Sequence, residues 1–187
     1  MMMKRGYNLA HVDNETRWCL DSDTERRSRF CEYLDAEYGF SKRCVPVGMS
    51  CGGMRRYFCG KLSGVCCRAV SGCTGSYLSC PACIGKSKIK AFDEFCRARK
   101  MNLIDLMSFR NNPLDRFEEL LQEKPPIILV SGDADTIVPF DENGKLLYDF
   151  YTQNGGKIEL YMKKGGDHHP YGLENNEVIA DFIERYY

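Results

Sequence analysis

Ile127-Ile128-Leu129-Val130 is an unbroken apolar run, entered through Pro125-Pro126 and left through Ser131-Gly132-Asp133. A strand with one wet face alternates polar and apolar residues. A continuous run of β-formers therefore asks for cover on both faces, and helices on both faces go with a parallel sheet. The rest of the chain follows that pattern, because short runs rich in β-formers alternate with longer amphipathic stretches. Residues 7–12, 44–49, 65–70 and 157–163 read as further strands, although Pro46 sits badly in a central one. Helices are expected over 24–38, with Phe30, Tyr33, Leu34 and Tyr38 on one stripe, Ser22 or Asp23 as the cap and Gly39 at the end. Others are expected over 51–59, over 141–151 with Leu146, Leu147, Phe150 and Tyr151 inward, and over 174–187 with Val178, Ile179, Phe182, Ile183 and Tyr186 inward. The fold class is α/β: a parallel sheet of about five strands flanked by helices.

The 187 residues suit one domain spanning 1–187. Between 71 and 124 the alternation lapses into a Cys/Gly/Ser-rich loop and short helices near 91–96 and 114–121, so this stretch is expected to be a helical insertion above the sheet. Lys plus Arg number 26 and Asp plus Glu 26, which leaves no electrostatic footprint for nucleic acid or an anionic membrane. No stretch is apolar for long enough to act as a signal peptide or to span a bilayer. Eleven cysteines, an odd number confined to 19–96, fit reduced thiols in a cytoplasm better than a secreted disulfide framework. Most read as small buried hydrophobes. Cys80-Pro81-Ala82-Cys83 could be half of a zinc or redox site, but no second pair at zinc-ribbon spacing follows.

Three loops carry chemistry. Gly48-Met49-Ser50-Cys51-Gly52 lies at a strand-to-helix junction, the context of a G-x-S-x-G nucleophile elbow. Glycines there allow a tight turn and close backbone approach, and the strained serine projects its hydroxyl above the sheet. The Cys51 N–H, at the helix start, would point to the same spot and could stabilise an oxyanion. The second loop, Ser131 to Pro139, follows the best-defined strand; Asp135 is its candidate for orienting a base, and Asp133 is the rival acid or a turn residue. The third, Gly165-Gly166-Asp167-His168-His169-Pro170, follows the last strand and holds two of the three histidines. His11, inside the first expected strand, reads as structural. A metal at the doubled histidine lacks ligands at suitable spacing, Asp167 aside.

Serine, aspartate and histidine thus occur in that order, each on a loop after a strand, which is the chain order of α/β-hydrolases. Through GMSCGG, GDADTIVP and GGDHHPYGL, with EYGFSK ahead of the elbow strand, the sequence from Gly6 onward resembles the α/β-hydrolase family, in its prolyl-oligopeptidase-like and esterase branches. The resemblance implies Ser50 as nucleophile, His168 as the base that takes its proton, in preference to His169, and Asp135 as the group that orients the imidazole. It implies hydrolysis of an ester, or of an amide, through an acyl-enzyme, with no metal or organic cofactor. Small acyl esters, acylated carbohydrates among them, are the implied substrates.

Only one expected strand precedes the elbow strand here, whereas the family has four. The expectation is therefore a truncated α/β-hydrolase fold lacking the strand whose following loop usually supplies the second oxyanion N–H, leaving Cys51 to donate alone. A sheet edge left open in this way favours a homodimer. Two other readings stand beside the hydrolase: an inactive α/β domain that binds a ligand or partner, and a zinc module around Cys66 to Cys83.

Overall fold

The computed structural model describes residues 1–18, 20–41, 44–52, 69–72, 90–102, 104–105, 108–111, 113–168 and 173–186, with backbone alone at 69–72 and 90–92. In chain order the regular elements are α1 (Asp21–Tyr38), β1 (Val47–Gly48), β2 (Ala69–Gly72), α2 (Lys90–Arg99), α3 (Phe117–Glu123), β3 (Ile127–Gly132), α4 (Gly144–Gln153), β4 (Ile158–Lys163) and α5 (Glu177–Tyr186). The strands form one parallel sheet in the order β1-β2-β3-β4. Every described crossover between them is helical or runs through residues outside the described set, as parallel pairing requires.

The apolar run that opens the argument is the centre of the sheet. Ile127, Ile128 and Leu129 are fully buried and Val130 nearly so. Because side chains alternate across a strand, Ile127 and Leu129 meet Phe117 of α3 and Leu147 and Tyr151 of α4. Ile128 meets Phe182 and Ile183 of α5 instead. Two cores thus lie on opposite faces of one strand, and the buried Tyr151 hydroxyl is satisfied by donating to the Pro125 carbonyl at 3.0 Å.

Several expectations change. The described sheet has four strands rather than about five, because residues 7–12 form no strand among the described residues. Tyr7 packs against the Phe182 cluster, but Leu9 is 73% exposed and His11 lies in solvent beside Asp13, so this stretch is an extended arm. Arg5, just ahead of it, is held to α5 by Asp181 at 2.8 Å, Glu184 at 2.7 Å and Glu177. Pro46 stands immediately before the two paired residues of β1 and costs no ladder bond. In α1, Tyr33 and Tyr38 face solvent rather than a core, and in α4 Leu146 is partly exposed. Gly39 ends α1 with φ +64°, as expected. The start of α1 is capped from within: Asp23, fully buried, accepts the Leu20 N–H at 2.9 Å. The helix expected over 51–59 begins at Cys51–Gly52, and its remainder, residues 65–68 of the next expected strand and Cys66 to Cys83 apart from β2 lie outside the described residues. Among the described residues no helix is long and apolar enough to cross a membrane.

Candidate active site

The sheet delivers its three loops to one edge, the carboxyl ends of β1, β3 and β4. Ser50 leaves β1 two residues after Gly48, which pairs with Ser71 of β2. Its backbone adopts φ +53°, a left-handed conformation that a non-glycine residue takes only where the surroundings impose it. The turn is closed by the Gly52 N–H donating to the Met49 carbonyl at 2.7 Å. A Cβ on Gly52 would meet no described atom within 4 Å.

Asp135 and His168 come together through glycines. β3 and β4 pair along their full lengths to Gly132 and Lys163. Beyond that point the Ala134 N–H donates to the Gly166 carbonyl at 2.9 Å, and the Gly165 N–H donates to Asp133 Oδ1 at 2.6 Å. Asp133, the rival acid, is thereby a strut between the two loops. Gly165 has φ +67°, and Gly132 lies so close to Gly166 that no side chain fits between them.

Asp135 Oδ2 lies 2.8 Å from His168 Nδ1, and His168 Nε2 lies 2.8 Å from Ser50 Oγ. Asp135 Oδ1 accepts the backbone N–H groups of Ile137 at 2.9 Å and Val138 at 2.8 Å, which fixes the carboxylate's rotation. The side chains of His168 and Asp135 are 7% and 6% exposed, so little water competes for these bonds. A carboxylate only accepts, so Nδ1–H donates to it; Nε2 then keeps its lone pair for the Ser50 O–H. Three residues separated by up to 118 positions thus form one line of hydrogen bonds. His169 lies outside the described residues.

Cys51 opens the turn after Ser50 and packs against Trp18, a residue that sequence reading did not single out. Burial pushes the Cys51 thiol up, an effect only partly offset by the nearby Arg17 guanidinium. The thiol is therefore a weak nucleophile at neutral pH beside the serine. The signal for Trp18 was modest: the chain's single tryptophan, placed two residues before the N-cap of a helix. Among the described residues no three His, Cys, Asp or Glu side chains gather as a metal-ligand set.

No protein-family model matches the sequence, and no curated protein matches it. Solved structures do. The esterase Pf2001 of Pyrococcus furiosus superposes with a TM-score of 0.61 at 19% identity, covering 94% of this chain and 65% of that one. A truncated form of a carbohydrate esterase from gut microbiota gives 0.59 at 17% identity, covering 88% and 67%. MGS-MChE2, an α/β hydrolase from the metagenome of lagoon sediments at Mar Chica, Morocco, gives 0.50 at 16% identity, covering 88% and 71%. The chain spans less than two thirds of the length of the Pyrococcus protein. With a parallel sheet, a serine on the turn after a strand and these structural neighbours, the chain has the α/β-hydrolase fold.

Proposed function

We propose that this protein is a serine hydrolase that cleaves an ester, or an amide, through an acyl-enzyme on Ser50. The observation that carries the reading is the bonded line from Ser50 Oγ through His168 to Asp135. In the first half-reaction Ser50 Oγ attacks the substrate carbonyl carbon while its proton passes to His168 Nε2. The carbonyl oxygen becomes an oxyanion, to which the Cys51 N–H donates. Collapse breaks the bond to the leaving alcohol or amine, which takes the proton from Nε2. In the second half water attacks the acyl carbon, gives a proton to His168, and the acid departs as Ser50 recovers its hydrogen. Asp135 keeps the imidazole in the tautomer with its lone pair at Nε2 and stabilises the imidazolium.

This chemistry calls for no metal or organic cofactor. The substrate class we favour is a small acyl ester, acylated carbohydrates included; the esterase neighbours, one of them a carbohydrate esterase, support that choice. The insertion expected at 71–124 would shape the pocket. The free thiols of Cys51 and Cys96 suit a cytoplasmic setting, and the edge at β1, unpaired among the described residues and with Val47 72% exposed, suits a homodimer.

The test is a fluorophosphonate probe on the purified chain, read by peptide mass spectrometry. Adduct on Ser50 that disappears in Ser50→Ala and in His168→Ala, and persists in His169→Ala, is the expected result. A folded chain that takes up no probe would replace the hydrolase with an inactive domain that binds a ligand or partner.

A further inference from the structure

The loop ahead of α1 contributes nothing to the bonded line at Ser50, yet it is held from several directions. The two carboxylate oxygens of the fully buried Asp23 accept the backbone N–H groups of Glu15 at 3.0 Å and Leu20 at 2.9 Å. Between these anchors stands Trp18, 2% exposed. Its N–H donates to Thr16 Oγ1 at 3.1 Å, and its carbonyl accepts from Arg99 Nη2 of α2 at 3.3 Å. The indole packs against Cys51 and against Phe95 and Ala98 of α2, meeting the Phe95 ring edge-on with centroids 5.4 Å apart. Arg17 bonds Glu94 of the same helix through Nε at 3.0 Å and lies over the indole at 5.1 Å. A large rigid side chain is thus wedged between one helix and the residue that follows the serine.

We propose that Trp18 is a positioning residue of the serine site: by filling the space between Cys51 and Phe95 it holds the first turn after Ser50, and with it the Cys51 N–H, at the angle an oxyanion requires. The inference rests on the serine-hydrolase reading. Its physical basis is that the left-handed backbone at Ser50 persists only if the turn is held on several sides. The Gly52 N–H to Met49 bond and the Ser50 to His168 bond supply two such constraints. The Trp18 contact supplies a third, at the one residue whose N–H the mechanism uses. A donor that is displaced rather than deleted weakens the transition state and leaves substrate binding nearly unchanged, because the oxyanion exists only in the former.

The experiment compares wild type, Trp18→Leu and Trp18→Phe on p-nitrophenyl acetate, with kcat expressed per Ser50 titrated by the fluorophosphonate probe, so that misfolded molecules do not count. Trp18→Leu is expected to lower kcat per titrated serine by about tenfold to a hundredfold, with KM within about threefold. Trp18→Phe, which keeps an aromatic ring against Phe95, is expected to recover most of the loss. If Trp18→Leu does not fold, Phe95→Leu removes the wall behind an intact Trp18 and must lower the same quantity. A folded Trp18→Leu, or in its place Phe95→Leu, with wild-type kcat per titrated serine overturns the proposal while leaving Ser50 as nucleophile. Folded wild type without adduct on Ser50 overturns both.

Discussion

Gly132 at the end of β3 and Gly166 after β4 lie in contact: a Cβ on Gly132 would stand 2.1 Å from the Gly166 carbonyl oxygen. This approach sets the spacing of the two loops that carry Asp135 and His168. The obstacle is backbone, so Gly132→Ala must push the loops apart. We expect kcat on an activated ester to fall about a hundredfold, the usual cost of an ångström's misplacement, together with a lower melting temperature. Steady-state kinetics and thermal unfolding check this, and an alanine variant with wild-type rates would show that the contact does not set the geometry.

The two aspartates of the β3 loop should separate in their effects. Asp135→Asn keeps the shape but favours the wrong imidazole tautomer, and on the proposed mechanism kcat should fall by about 10⁴-fold, the cost when a Ser-His-Asp triad loses this carboxylate. Asp133 accepts the Gly165 backbone N–H and makes no described contact with His168. Asp133→Asn is therefore expected to hold kcat within about tenfold and to destabilise by no more than about 0.5–1.5 kcal/mol, the net worth of one hydrogen bond. The check is kinetics beside denaturant unfolding of both variants.

Alkaline stability should depend on Cys51. Burial raises its thiol above the ordinary thiol range in the folded chain. Between the unfolded and folded values the unfolded chain binds fewer protons, so stability is full below the ordinary thiol value of about 8.5 and is lost as pH rises through the folded value. Cys51→Ala should flatten that part of the unfolding free energy measured between pH 8 and 11, a range chosen to bracket the ordinary thiol pKa of about 8.5. An unchanged slope would assign the loss to other groups.

Self-association is expected to run through β1. Val47 and Met49 are 72% and 57% exposed at a described strand with one paired edge. Val47→Lys places a charge there, as natural edges do. Sedimentation velocity at increasing concentration should then show monomer where wild type shows dimer; wild type that stays monomeric would remove the homodimer.

The sequence by itself determined the sheet's centre and its helical cover. Four adjacent apolar β-formers at Ile127 to Val130 have no stable place except between two layers, and both layers are found there. It also singled out Ser50, His168 and the loop that holds both Asp133 and Asp135, because chain order and position after a strand are local properties. Only the tertiary structure decided which acid serves His168: Asp133 and Asp135 share one loop, and the choice rests on the direction each carboxylate takes once β3 and β4 pair and the glycines let their loops touch. The same holds for residues 7–12, whose strand-like pattern lacks a described neighbour to pair with, since a strand's stability resides in its ladder partner and not in its own residues. It holds too for Trp18, whose place against Cys51 joins positions 33 apart that no periodicity connects.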